Sequence, residues 1–184
     1  ITSEIGNRCD VIGHSFGGWQ ACWLAVNHPD KVELLILEAP AGFRPSGKGG
    51  LDLPHEELMQ RLTAYPEKRP QDDRPLKIVQ TNRDKVRLHY HGGIPFDDEL
   101  VRRLGEISSS TLLVYGTLEE IVPIETCRML KSSIPRIYLN YIYDSAHTIE
   151  VDQPERFVKL VGDFLERGEA FLVNQGSEMM ASYS

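Results

Sequence analysis

Apolar residues collect in four short runs along the chain, CDVIGH (Cys9–His14), VELLILEA (Val32–Ala39), TLLVYG (Thr111–Gly116) and RIYLNYIYD (Arg136–Asp144), each bounded by glycine, proline, aspartate or asparagine. Their length and their wealth of Val, Ile, Leu and Tyr predict strands, and their near-continuous apolarity predicts burial on both faces. Helical spacing appears between and after them. Trp19 to Asn27 ends at His28-Pro29, Pro123 to Ser133 ends at Ile134-Pro135, and a last helix opens at Asp152-Gln153-Pro154. In that last helix Phe157, Leu160, Val161, Phe164 and Leu165 fall at i, i+3, i+4, i+7 and i+8, the stripe of a helix with one face on a core. Strands that alternate with helices predict an α/β fold with a parallel sheet and right-handed crossovers.

Residues 41–106 break this rhythm. The stretch holds six of the chain's prolines, many charges and two amphipathic patterns, one on Leu58, Met59, Leu62 and Tyr65 and one on Leu100, Val101, Leu104 and Ile107. A structureless loop of that length is rare in a compact domain, so a helical insertion that covers a site is expected. The chain thus divides into a core part at 1–40, a lid insertion at 41–106 and a second core part at 107–184.

Composition narrows the function classes. A chain of 184 residues, 41% hydrophobic and 26% charged, can bury a core without disulfides or metals. Its formal charge of −7 and its lack of basic runs interleaved with aromatics exclude a nucleic-acid footprint. No apolar run approaches the roughly 18 residues of a membrane span. Cys9, Cys22 and Cys127 are odd in number and lack C-x-x-C or Cys/His ligand spacing, so no metal is expected, and a reducing, cytoplasmic setting is. The residues from Ile1 onward form neither a basic nor an apolar leader run, so no signal peptide is expected among them.

The chemistry lies in Gly13-His14-Ser15-Phe16-Gly17, a G-x-S-x-G run with a strand before it and a helix after it. Small flanking residues let the backbone turn sharply and hold a serine hydroxyl above the sheet edge. The Phe16 N–H, at the positive end of the following helix, is the candidate oxyanion donor. Serine needs a base to attack near neutral pH, and six histidines compete for that role. His14 is beside the serine on the turn and reads as a pocket wall; His28 reads as a helix cap; His55, His89 and His91 lie in the insertion. His147 follows the last strand on a short loop and so reaches the same carboxyl edge as Ser15. For the orienting acid, Glu119 follows the strand ending at Gly116, while Glu38 ends the run LILE and competes with it. Glu120 reads as a solvent-facing neighbour and Asp144 as a turn residue. Serine, acid and histidine then occur in the order of α/β-hydrolases.

On the segments VIGHSFGG, LLVYGTLEEIVP and YDSAHTIEVDQPERFVKLVGDFL the chain resembles the carboxyl-terminal two thirds of a capped α/β-hydrolase. The resemblance implies a Ser15–His147–Glu119 triad with Phe16 at the oxyanion hole, no cofactor and a small-molecule substrate. Glu119 departs from the family's G-x-x-D-x-x-V-P run by one methylene. Serine at the elbow, where dehalogenase and epoxide-hydrolase relatives have aspartate, implies acyl chemistry on esters, thioesters, amides or the carbon–carbon bonds of ring-fission diketones. His14, Phe43, Tyr65, Tyr90 and Phe96 are candidate pocket walls. The insertion carries 12 Lys/Arg against 11 Asp/Glu, less acidic than the remainder, a weak cue to an anionic substrate.

Family members place several strands before the elbow, whereas only the end of a helix fits ahead of Cys9, with Ile1 and Ile5 one turn apart and Gly6-Asn7 as its stop. The elbow strand is then expected at a bare edge, covered by a second copy in a homodimer or by another chain. The competing readings are a truncated and inactive hydrolase, a binding module that keeps the triad as a relic, and an acyltransferase.

Overall fold

The computed structural model describes residues 8–44, 53–89 and 96–172. The expected helix end at Ile1 to Asn7 and the pocket candidates Tyr90 and His91 lie outside the described residues. Four strands, β1 (Cys9–His14), β2 (Val32–Glu38), β3 (Ser110–Gly116) and β4 (Ile137–Ile142), form one sheet in the order β1-β2-β3-β4. All three pairings are parallel, so every strand ends on the same edge. Helix α1 (Phe16–Asn27) links β1 to β2, and α5 (Ile124–Ser133) links β3 to β4. The short α6 (Ile149–Asp152) and the longer α7 (Pro154–Arg167) follow β4.

Both faces of the central strands β2 and β3 are covered, and for this reason their sequences are almost continuously apolar. Leu35, Leu37, Leu113 and Tyr115 join Ala21, Cys22 and Ala25 of α1 and Cys127 and Leu130 of α5 in one cluster. Their neighbours in the strands, Ile36, Leu112 and Val114, face the other way and pack with Val161 and Phe164 of α7 and with Phe171. Burying such a side chain contributes about 1.5–3 kcal/mol, so the alternation along β2 and β3 fixes register on both faces at once. Pro154 opens α7, whose stripe is the one its spacing predicts, with Val161 and Phe164 buried and Phe157, Leu160 and Leu165 packed against them. His28 caps α1, its N–H on Leu24 O, and Asp144 makes the turn after β4 with a φ of 56°. β1 stands at one edge of the sheet, with Ile12 52% exposed.

Among its described residues the stretch 41–106 holds three α-helices, α2 (His55–Leu62), α3 (Leu76–His89) and α4 (Asp98–Arg103). By packing it has two parts. Leu100, Leu104 and Ile107 are buried in the same cluster as α1, so α4 and the turn after it form part of the core layer. Asp97 caps α4 through Leu100 N at 3.0 Å and also takes the indole N–H of Trp19 and of Trp23, each at 2.8 Å, which ties α4 to α1. In contrast, α2 has no buried residue, though Leu58 and Leu62 touch the core, and α3 exposes Leu76 and Ile78.

Candidate active site

The end of β1 turns into α1 within one residue. Ser15 sits between them with φ 52° and ψ −116°, a left-handed conformation that costs a non-glycine residue about 1–3 kcal/mol. Backbone bonds hold the turn: Ser15 N donates to Glu38 O at 2.9 Å, and Ser15 O accepts from Gly18 N and from Ala41 N. Gly13 is required by close approach, since a Cβ there would stand 2.6 Å from Gly17 O and 2.8 Å from Ala21 Cβ. Phe16 is the first residue of α1, and its ring stacks on Trp19 at 5.4 Å. Its N–H therefore belongs to the helix terminus where partial positive charge accumulates.

The loop after β4 carries His147 and the loop after β3 carries Glu119. His147 Nδ1 and Glu119 Oε2 lie 2.7 Å apart, with only 3% and 4% of the two side chains exposed. The other carboxylate oxygen, Oε1, accepts from Ile121 N at 2.5 Å and Val122 N at 3.0 Å, so the acid is held from behind. With Nδ1–H donated to the carboxylate, Nε2 is left as an acceptor, the tautomer a general base requires. The approach of the two loops depends on Gly116: a Cβ there would overlap the carbonyl oxygens of Ser145 and Ala146. Among the described residues no hydrogen bond joins Ser15 Oγ to His147, and the parallel sheet brings both to one edge.

Neighbouring residues brace this edge. His14 Nε2 donates to His147 O at 3.0 Å, and the two rings stand 4.7 Å apart. Burial, and after it the neighbouring His147, pull the His14 imidazole below its ordinary value, and its bond to His147 O braces the His147 loop. Asp152, with no exposed surface, accepts from Ala146 N at 2.8 Å, Ala64 N at 2.9 Å and Tyr65 N at 3.1 Å. Thr148 adds two bonds to Leu62 O, from its N at 2.9 Å and its Oγ1 at 2.8 Å, so the histidine loop is strapped to residues 62–65 of the insertion.

The remaining candidates fall elsewhere. Glu38 does not reach the imidazole; its Oε1 accepts from Ile149 N at 2.9 Å. Burial, and then the hydrogen bond and charge of Glu150, push its carboxyl up to about 9. Glu120 is exposed, 4.0 Å from Arg61. Phe43, expected as a pocket wall, is 1% exposed in the core cluster, and its backbone pairs with Phe96 in an isolated bridge. Its apolar bulk serves packing. Tyr65 is half-buried under Lys68 Nζ, which lies 4.3 Å from the ring centre, and His55 opens α2. Sequence reasoning missed Asp97, and it read Asp152 only as the opening of the last helix, not as a brace for the histidine loop.

Two hollows lie beside this edge, lined by residues other than Ser15 and His147. One of about 260 Å³ touches Glu119, Gly116, Tyr115, Val122 and Tyr141, and one of about 520 Å³ lies along β4 at Tyr141, Tyr143 and Arg156. Among the described residues no helix is long and apolar enough to cross a membrane.

No protein-family model matches the chain. It is 26% identical over 192 aligned residues to a 2-hydroxymuconate semialdehyde hydrolase of Pseudomonas sp. (strain CF600), covering 91% of this chain and 65% of the relative. It is 29% identical over 178 residues to a pimeloyl-[acyl-carrier protein] methyl ester esterase of Yersinia enterocolitica, covering 85% and 69%. Among solved structures, a serine hydrolase from Cycloclasticus zankles superposes with a TM-score of 0.66 at 19% identity, covering 89% of this chain and 65% of that one. A meta-cleavage product hydrolase from Pseudomonas fluorescens IP01 gives 0.64 at 19%, covering 89% and 66%. The chain has the α/β-hydrolase fold and is related over most of its length to serine hydrolases of that fold. It spans 63–65% of the length of the first curated relatives it matches.

Proposed function

We propose that this chain carries the catalytic residues of a serine hydrolase that cleaves an ester or a carbonyl-flanked carbon–carbon bond through an acyl-serine. The observation that carries this reading is the buried 2.7 Å pair of His147 and Glu119, on the sheet edge where the strained Ser15 turn also ends. In this mechanism Ser15 Oγ attacks the substrate carbonyl carbon as His147 Nε2 takes the hydroxyl proton. Glu119 keeps the imidazole oriented and stabilises the imidazolium without taking the proton itself. The Phe16 N–H and the α1 terminus stabilise the oxyanion. The tetrahedral species collapses, His147 gives its proton to the leaving group, and a water activated by the same imidazole hydrolyses the acyl-serine.

The reading takes its reaction class from relatives named as hydrolases of 2-hydroxymuconate semialdehyde and as methyl ester esterases. The exposed part of the insertion, α2 and α3, is the lid in this account, and it holds the substrate against the edge. Steady-state hydrolysis of short acyl esters and of a ring-cleavage dienoate tests the proposal. Turnover of at least one class is expected, falling about 10³-fold or more in Ser15→Ala and about 10³–10⁴-fold in Glu119→Gln. A folded chain that turns over neither class, or a Ser15→Ala variant as active as the parent, contradicts it.

A further inference from the structure

Glu38 is a buried acid that the mechanism above does not use, although it contacts both catalytic loops. It ends β2, where it pairs with His14 on one side and Val114 on the other. Its carbonyl oxygen accepts Ser15 N, the bond that closes the nucleophile turn, at 2.9 Å. Its carboxyl accepts Ile149 N at 2.9 Å, two residues past His147, and the Glu150 carboxyl stands beside it. The side chain is 2% exposed. Among the described residues, the charged or titratable groups that face it are His14 from β1 and Glu150 from α6, whose ligand atoms all lie within 4.8 Å of one another.

We propose that Glu38 is a positioning residue that locks the His147 loop to the Ser15 turn through hydrogen bonds, with no role in orienting the imidazole. The chemistry of the pair supports this. Two carboxyls in contact do not both ionise readily, and burial, then the neighbouring Glu150, favours the protonated form of Glu38. A protonated carboxyl gives what the site needs: an O–H for Glu150 and a carbonyl oxygen for the Ile149 amide. Glu119 already occupies His147 Nδ1, so an ionised Glu38 is not required as the acid. Ala39, the next residue, has a φ of 38° and donates its N to Val114 O, so the backbone at this strand end is fixed on both sides of the carboxyl. The lock therefore joins three elements: the nucleophile turn by its main chain, α6 by its side chain and β3 through its neighbour.

The inference rests on the hydrolase reading, and its test keeps the two apart. Glutamine reproduces a neutral carboxyl in shape and hydrogen bonding, and alanine does not. Labelling of Ser15 by a fluorophosphonate is compared for the parent chain, Glu38→Gln, Glu38→Ala and Glu119→Gln, with amide hydrogen exchange followed at Ser15, Ile149 and Glu150. Glu38→Gln is expected to label within threefold of the parent at pH 7 and to keep its rate above pH 9, where the parent slows as Glu38 ionises. Glu38→Ala is expected to label at least tenfold more slowly and to exchange the Ile149 amide at least tenfold faster. A Glu38→Gln variant that folds normally but labels as poorly as Glu119→Gln overturns the proposal, because Glu38 would then act as a carboxylate or as a metal ligand with His14 and Glu150. Unchanged exchange at Ile149 in Glu38→Ala overturns it as well. A parent chain that does not label contradicts the hydrolase reading instead, and the exchange data still judge the lock.

Discussion

Cutting Asp152 to alanine is the perturbation with the best-defined cost. Its carboxylate has no exposed surface and accepts three backbone amides, from Ala64, Tyr65 and Ala146. Hydrogen bonds to a charged group contribute about 1.5–3 kcal/mol each. The full value does not apply to all three, because Ala64 and Tyr65 are half-buried and their amides regain water in the variant. The variant also no longer has to desolvate a charge. Ala146 N, in contrast, is buried and loses its partner, which alone costs about 1–3 kcal/mol. The net expectation is a loss of about 3–4 kcal/mol for Asp152→Ala and about 2 kcal/mol for Asp152→Asn, which keeps one oxygen. At about 2–4 °C per kcal/mol for a chain of 184 residues, the alanine variant melts about 6–16 °C lower. Urea unfolding followed by circular dichroism measures the loss, with the exposed Glu155→Gln as a control expected within about 0.5 kcal/mol. A loss below about 1 kcal/mol in Asp152→Ala refutes the strap as a stabilising element.

Gly116→Ala forces a methyl into the carbonyls of Ser145 and Ala146 and should cost about 3 kcal/mol or more, read as a lower urea midpoint; an unchanged midpoint refutes the close approach. Glu38 gives a pH signature. Its folded value, about 9, lies above the unfolded one, so its stabilisation is fully present below about pH 4.5 and is lost as pH rises through about 9. The melting temperature of the parent should therefore fall more steeply between pH 5 and 9 than that of Glu38→Gln, and parallel slopes contradict this. Burial raises the Cys22 thiol to about 12, so iodoacetamide at pH 8 should modify the half-buried Cys9 well before Cys22, as peptide mapping will report.

Much of this arrangement is legible in the sequence where one physical rule dominates. β2 and β3 are short apolar runs because both of their faces are covered, and the observed bounds of all four strands lie within two residues of the expected ones. Ser15, Glu119 and His147 are readable because each follows a strand, and parallel strands bring such loops to one edge. The stripe of Leu100, Leu104 and Ile107 is also readable as amphipathic, but its partner is not: periodicity gives a buried face without saying that α1 covers it. Helix α3 escapes notice because Leu76 and Ile78 remain exposed, so no apolar face marks it. In the sequence Asp97 carries no signal, Asp152 reads only as the opening of a helix, and Glu38 reads as a rival triad acid. Only the fold surrounds them with indoles, amides and a second carboxyl, and so makes them internal braces.

The central claim is that Ser15 is a nucleophile activated by His147, and intact-mass analysis after exposure to a fluorophosphonate tests it most directly. The account predicts one adduct per chain, mapped to Ser15, absent in Ser15→Ala and slowed at least about a hundredfold in His147→Ala. A folded chain that gains no adduct, or one whose labelling persists at the same rate in either variant, contradicts it.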